Sequence, residues 1–465
     1  MSQPDPGSFR DPLSRVHIDG DDILRGLTPA GLAEYQAVAA HPFYAQLQDE
    51  GLVVGTELLE PGSHPLHAQY AGVLRHQRVE LISYPYEWTF EMLRDAALVH
   101  LDITRRAVAA GFSTKDATAY NLAFADGRPV FIDIGSFEKP PRDESWPGYR
   151  QFCELFLNPL AICAKTGVAY HPWLRGSVGG IATTDAAALI PLHRRLRHGL
   201  AAHITLQARS QRAAGGEDDD ADGAPARRVA GFSPTLVTAQ LDNLEQAIRH
   251  LTWKAQRSVW SDYGDRSHYA GDDLPAKRTF VAEAIERTGA RSVVDLGAND
   301  GYFSTAALEA GATHVVAADF DHLVVDRLYR HLKDIGEGRI HPLVLDLTNP
   351  SPGTGWRGRE RQPFTERTRP DLTLCLAVVH HLAITNTVPL PEIVDFLAEL
   401  RSPLVVEFPH PDDPKVQLLL SRKRAGLFDH YDRTNFEAAL AARYTIERTE
   451  TLRTRTLYHA TPLPV

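Results

Sequence analysis

The most constraining feature of this chain is a short passage, Val293-Val294-Asp295-Leu296-Gly297-Ala298-Asn299-Asp300-Gly301-Tyr302-Phe303-Ser304. A β-branched apolar run ends in glycine, small and polar residues follow, and a helical pattern opens at once. An apolar run of this kind reads as a strand buried on both faces, which helices must cover. Gly297 and Gly301 permit backbone conformations that other residues resist, and they let a ligand come close to the main chain. The opening helix presents N–H groups that have no partner within the helix.

The same alternation continues downstream. THVVAADF, HPLVLDL, DLTLCLAVV and LVVEFP read as strands, and YFSTAALEA and LVVDRLYRHLKDI as helices. Strands alternating with amphipathic helices predict an α/β domain, a Rossmann-like parallel sheet covered on both faces. FDHYDRTNFEAAL and TRTLYHA supply a last helix and strand. The second strand ends at Asp319, 24 residues after Asp295. A carboxylate there can accept two hydrogen bonds from a ribose diol.

In this order of elements, residues 278–465 resemble the class I S-adenosylmethionine-dependent methyltransferases. The resemblance implies S-adenosyl-L-methionine as cofactor and a reaction that needs no metal. It implies that Asp295, Gly297, Asn299 and Gly301 form the turn that carries the methionine part. Asp319 would hold the ribose, and Asp346 would lie near adenine. Asn299 stands where the family has its middle glycine; asparagine tolerates positive φ better than most residues. A nicotinamide dinucleotide is the alternative ligand, but its fingerprint wants a third glycine where this chain has Phe303 and Ser304.

Ligands of open α/β sheets bind beyond the carboxyl ends of the strands. The fourth strand ends at His380-His381 and the fifth at Glu407, which makes these three the catalytic candidates. A histidine there can orient an acceptor or take its proton. The alternatives are that one histidine packs in the core and the other caps a helix, and that Glu407 pairs with Arg401 or Lys415. Ahead of the glycine turn, Trp260, Tyr263, His268 and Tyr269 are candidates for a lid over the pocket; simple packing would account for them equally well. The His-His step, the Glu-Phe-Pro strand and the last helix–strand segment together resemble a bacterial methyltransferase group with a nodulation-associated member.

The N-terminal half carries a second pattern. Asp116 is followed five residues later by Asn121, and Asp133 comes 12 residues after that, in Phe131-Ile132-Asp133-Ile134-Gly135. This resembles the core of the protein-kinase and aminoglycoside-phosphotransferase superfamily. The resemblance implies that Asp116 faces an acceptor hydroxyl while Asn121 and Asp133 hold the magnesium of Mg-ATP. Residues 1–114 contain no lysine to clamp phosphates, and no glycine-rich loop precedes the pattern. The alternative is a β-hairpin with Asp133 at its turn and Asn121 as a cap. The expectation is a degenerate, kinase-like α+β accessory domain.

Five segments are therefore expected. These are a loose arm over 1–30, the accessory domain over 31–212, a linker of small and acidic residues over 213–230, an aromatic helical lid over 231–277, and the methyltransferase domain over 278–465. Composition narrows the function classes. A net charge of −10 gives no general help in binding nucleic acid. Cys153, Cys163 and Cys375 cannot build a disulfide framework and lack zinc-site spacing. No apolar run approaches the ~20 residues of a membrane helix, so membrane is not an expected partner. The expectation is a cytoplasmic enzyme with a small-molecule substrate. The sequence leaves its acceptor and its oligomeric state open. Its rivals are a bifunctional enzyme with an ATP-binding half and a non-catalytic protein that keeps the cofactor fold.

Overall fold

The computed structural model describes residues 2–140, 146–196, 199–214, 233–253 and 273–464. The chain divides into two compact units, Met1–Gln256 with Gly353–Arg361, and Arg257–Pro352 with Gln362–Val465.

The first unit opens with an antiparallel sheet of β1 (Gln3–Pro4), β2 (Ser14–Asp19), β3 (Asp22–Leu27), β4 (Thr56–Leu58) and β5 (Gly72–His76), in the order β1-β2-β3-β5-β4. Residues 1–30 are thus no loose arm. They contribute a hairpin that pairs Ser14 with Leu27 and turns at Gly20, whose φ is 61°. The inner strand of that hairpin buries Leu24, Arg25 and Leu27.

A long helix, α1 (Phe90–Ala109), follows. The Thr89 hydroxyl accepts a hydrogen bond from the N–H of Met92, and Glu91 and Arg106 complement the helix dipole at the two ends. Its buried stripe, Leu93, Ala97, His100, Leu101, Thr104 and Val108, recurs at helical spacing. The hairpin β6 (Leu122–Ala125) and β7 (Arg128–Phe131) packs beyond it.

The helix Pro234–Arg249, expected in a lid, packs in this first unit instead. It buries Val237, Leu241, Leu244 and Ile248, and Asp242 takes the guanidinium of Arg105 at 3.1 Å. An excursion of the later sequence, Gly353–Arg361, also belongs to this unit. Glu360 accepts both arms of Arg10, at 2.6 and 2.9 Å, and the Arg361 guanidinium lies 4.5 Å over the ring of Tyr120.

The second unit begins with α2 (Asp273–Thr288). Then come β8 (Ser292–Leu296), α3 (Tyr302–Glu309), β9 (His314–Asp319), α4 (His322–Ile335), β10 (Ile340–Val344) and β11 (Leu372–Cys375). The unit closes with α5 (Leu390–Glu399), β12 (Leu404–Pro409), α6 (Pro414–Leu420), α7 (Arg433–Ala441), β13 (Tyr444–Thr451) and β14 (Arg455–Pro462). The sheet order is β10-β9-β8-β11-β12-β14-β13. Strands β8 to β12 are parallel; β14 inserts antiparallel beside β12 and pairs Glu407 with Leu457. Val293, Val315, Leu372, Leu374 and Val405 of the sheet pack with Phe280, Ala307 and Leu328 of the covering helices. The strand order reverses between β8 and β11, and a ligand crevice is expected at such a switch point.

Candidate functional site

That crevice is present in the second unit, with a volume of about 480 Å³. Each of the loops beyond β8, β9, β10 and β11 contributes a wall. The first is the glycine turn. Gly297 has a φ of 81°, and a Cβ there would sit 2.3 Å from Cγ2 of Val378. Asn299 takes the positive φ (50°) that its side chain tolerates. Gly301 has a φ of 79° and stands at the N-cap of α3, against Leu328. Of this turn, Gly297, Ala298, Asn299 and Asp300 line the crevice.

Asp295 does not line it. The residue is buried at 2% exposure, and its Oδ2 accepts a hydrogen bond from the Ser304 hydroxyl at 2.7 Å. It therefore ties the end of β8 to the first turn of α3. Burial pushes its carboxyl up to about 7, partly opposed by the Ser304 hydrogen bond, with Asp319 adding to the rise.

Asp319, at the end of β9, lines the crevice beside Phe320, which is 53% exposed. Its Oδ2 accepts from the N–H of Asn299 and its Oδ1 from the N–H of Asp321, both at 3.0 Å. Burial raises its carboxyl to about 6 despite those two bonds. The N–H of Phe320 bonds the carboxylate as well, and these donors leave part of its capacity of about four acceptor positions for a diol. Asp346 lines the third wall; its Oδ1 accepts from the N–H and the hydroxyl of Thr348, at 2.8 and 2.7 Å.

The fourth wall holds Leu376, Ala377, Val378, His381, Leu382, Thr385 and Asn386. The residues His381–Thr385 form one π-helical turn, a feature that recurs at functional sites. The rings of His380 and His381 lie 4.1 Å apart, but only His381 faces the crevice. Burial, then Arg455 and Lys415, bring the His381 imidazole down to about 4. His380 is buried, and burial with His381, Arg455, Lys277 and Lys415 holds it well below the ordinary histidine range.

Glu407 lies outside the crevice, completely buried, and pairs with neither Arg401 nor Lys415. Its Oε1 sits 2.5 Å from Lys277 Nζ and 3.1 Å from Arg455 Nη1. Arg455 Nε also binds Asp413 at 2.8 Å. Burial alone would raise the Glu407 carboxyl, but Lys277 and Arg455 outweigh it and hold the group below its usual range. Lys277 was missed by sequence reasoning. The available signal was a lysine three, four and seven residues before Phe280, Val281 and Ala284, on the apolar stripe of α2. Phe320, Thr385 and Asn386 were missed as well, because only the fold brings them to the crevice. Trp260, Tyr263, His268 and Tyr269, and most of the small-residue acidic stretch, lie outside the described residues.

In the first unit, Asp116 and Asp133 are close enough for Asp133 to raise the Asp116 carboxyl, although burial is the larger cause. Asn121 is buried at the start of the β6–β7 hairpin. Asp133 is committed: its Oδ1 lies 3.0 Å from Arg25 Nη1. The sequence pattern gave no sign of Arg25, which lies 108 residues before Asp133. The carboxylate that the kinase resemblance would assign to magnesium is thus paired with a guanidinium. Among the described residues no group of three His, Cys, Asp or Glu side chains is arranged to hold a metal ion, and no helix is long and apolar enough to cross a membrane.

No protein-family model matches the chain. It is 36% identical over 438 residues to nodulation protein NoeA of Rhizobium meliloti (strain 1021), covering 94% of this chain and 90% of that one. Among solved structures, the PH0226 protein of Pyrococcus horikoshii OT3 is 15% identical with a TM-score of 0.31, over 44% of this chain and all of that one. The N-methyltransferase NodS of Bradyrhizobium japonicum WM9 is 12% identical with a TM-score of 0.30, over 43% of this chain and 99% of that one. The bifunctional kinase-methyltransferase WbdD is 15% identical with a TM-score of 0.31, over 43% of this chain and 41% of that one. The strand order, the glycine turn and the acids after β9 and β10 give the second unit the class I methyltransferase fold. By its full-length similarity, the chain belongs to the family of nodulation protein NoeA.

Proposed function

We propose that the second unit binds S-adenosylmethionine in this crevice and directs methyl transfer to an oxygen or nitrogen atom of a small, natural-product-like molecule. One observation carries the reading. The loops of four successive strands bring Gly297, Asn299, Asp319, Asp346 and His381 to the walls of a single cavity. At Gly297 the turn packs closely on the wall after β11, since a Cβ there would collide with Cγ2 of Val378.

When bound, S-adenosylmethionine supplies a methyl group already activated by its sulfonium. What remains for the protein is alignment and handling of one proton. The turn from Gly297 to Asp300 presents backbone to the amino-acid portion. Asp319 would accept from the ribose hydroxyls with the capacity that the N–H groups of Asn299, Phe320 and Asp321 leave over. Asp346, braced by Thr348, would meet adenine. His381, unprotonated at neutral pH, accepts a hydrogen bond from the acceptor's O–H or N–H and takes the proton as the acceptor atom gains its methyl carbon. A base this weak serves orientation at least as much as proton removal.

Calorimetry of the full-length protein with S-adenosylhomocysteine tests the cofactor assignment. Binding that weakens at least tenfold in Asp319→Ala is expected; wild-type affinity in that variant removes Asp319 from the site. Labelled methyl transfer into fractionated extracts then identifies the acceptor.

A further inference from the structure

The residues lining the crevice divide by charge. Three walls carry carboxylates, those of Asp300, Asp319 and Asp346, and the fourth, after β11, carries none. That fourth wall ends at Thr385 and Asn386, both exposed, so this end opens to solvent. Helix α6 packs against the π-helical turn that forms the wall. Just past the end of α6 the chain reads Ser421-Arg422-Lys423-Arg424, three successive cations in a protein of net charge −10.

These cations are attached to the crevice. Lys423 Nζ donates to the carbonyl of Thr385 at 3.2 Å and lies 5.8 Å over the buried ring of Phe428. The turn that carries it is fixed, because the N–H groups of Arg422 and Lys423 donate to the carbonyls of Leu419 and Leu420, at 3.2 and 2.9 Å. Both partners of the ammonium are uncharged, so its charge is not cancelled. An ammonium has three N–H donors, and the carbonyl takes one. Arg422 and Arg424 are exposed, and none of the three cations forms an ion pair among the described residues. The neighbouring acids do not neutralise them: Asp413 is held by Arg455, and Asp412 and Asp429 pair with none of the three. A surface lysine ordinarily keeps its charged head in water; this one is drawn against the rim of the crevice instead.

We propose that the methyl acceptor is a small anion, and that Lys423, flanked by Arg422 and Arg424, takes its carboxylate, phosphate or sulfate group at the mouth of the crevice. This rests on the methyl-transfer reading for the ligand's being an acceptor; the anion site itself does not. A negatively charged molecule is repelled by the carboxylates of three walls and drawn to the cations at the fourth. It therefore enters with its charged group held at the rim and its other end toward His381. Guanidinium groups fork onto two oxygens of such a group, and the ammonium adds a point charge. Because the protein as a whole is acidic, attraction of an anion depends on this local field. The same net charge disfavours a nucleic acid, whose binding is an outcome of the test.

The test follows the Thr385 methyl signal by NMR in threonine-labelled full-length protein with excess S-adenosylhomocysteine, the signal being assigned by its loss in Thr385→Ser. Inorganic phosphate, sulfate and acetate are titrated in turn at constant ionic strength, and the tightest of the three names the group recognised. A saturable shift is expected in the wild type, with an affinity at least about tenfold weaker in the triple variant Arg422→Gln, Lys423→Gln, Arg424→Gln. If the triple variant does not fold, Arg422→Gln with Arg424→Gln, both exposed, takes its place with a smaller loss. No saturable shift with any of the three anions, or equal affinity in the wild type and the folded variant, overturns the anion site. Labelled methyl transfer into extract separated on an anion exchanger then tests the acceptor class. Label in retained, nuclease-resistant small molecules is expected; label in the unretained fraction or in nuclease-sensitive material overturns that class. Absence of both S-adenosylhomocysteine binding and label would remove the methyl-transfer reading, while the anion titration would still decide the site.

Discussion

The carboxylate of Asp319 accepts a hydrogen bond from the backbone N–H of Asn299 at 3.0 Å, so the acid at the end of the second strand also fixes the glycine turn after the first. Two walls of the crevice proposed to hold a nucleoside are thereby joined by one hydrogen bond. The bond needs no charge, but a ribose diol needs the remaining lone pairs. The Asp319 carboxyl is raised to about 6. Above that pH it is ionised and accepts fully; below it, a proton occupies one acceptor position. The affinity for S-adenosylhomocysteine should therefore fall as pH drops through about 6, by up to about tenfold per unit. Asp319→Asn should bind more weakly and show no such dependence. Calorimetry between pH 5 and 8 decides it.

Asp295 makes the opposite prediction for stability. Its folded value of about 7 lies above its ordinary carboxylate value of 3.8. A raised acid contributes stability that is complete below the unfolded value and is lost as pH rises through the folded one. Between pH 5 and 8 this group should cost the wild type on the order of 2 kcal/mol. Asp295→Asn can still accept from Ser304 and carries no charge, so it should show a flatter profile and equal or exceed the wild type at pH 8. Urea unfolding at the two pH values provides the comparison.

Gly297→Ala should fold but lose cofactor affinity by more than about tenfold. The new methyl meets Val378 at 2.3 Å, and a φ of 81° disfavours any side chain. Adding Val378→Ala relieves only the first of these, so the double variant should recover only part of the affinity. Full recovery would show that the collision, not the backbone, sets the need for glycine.

The two histidines should separate by phenotype. His381→Asn is expected to lower turnover by about a hundredfold or more while leaving S-adenosylhomocysteine binding within about twofold. His380→Asn should act through stability instead, because the ring is buried outside the crevice. Equal effects of the two on turnover at full folding would contradict this division.

Lys277→Met leaves Glu407 facing Arg455 alone inside the protein. Breaking a buried pair from one side costs about 3–5 kcal/mol. The melting temperature should fall clearly, and Lys277→Met with Glu407→Gln should restore part of the loss. A single variant as stable as the wild type would mean that water reaches this pair.

The division between sequence and fold follows from the range of the forces involved. The strand–turn–helix at Val293–Ser304, the acids at Asp319 and Asp346 and the histidine step at 380–381 were legible because each depends on local backbone geometry and on side-chain periodicity within a few residues. Hydrophobic alternation also implied the parallel sheet, since a run that is apolar on both faces has to be covered. Which histidine faces the crevice was not legible, because both satisfy the same local pattern and only the π-helical turn after β11 separates them. Nor were the partners of Glu407, since Lys277 lies 130 residues before it and Arg455 48 residues after. The same holds for Arg25 beside Asp133 and for Glu360 gripping Arg10 across 350 residues. Those pairs form only where folding has excluded water and brought distant segments together; the burial that gives an ion pair its strength arises from the tertiary structure alone.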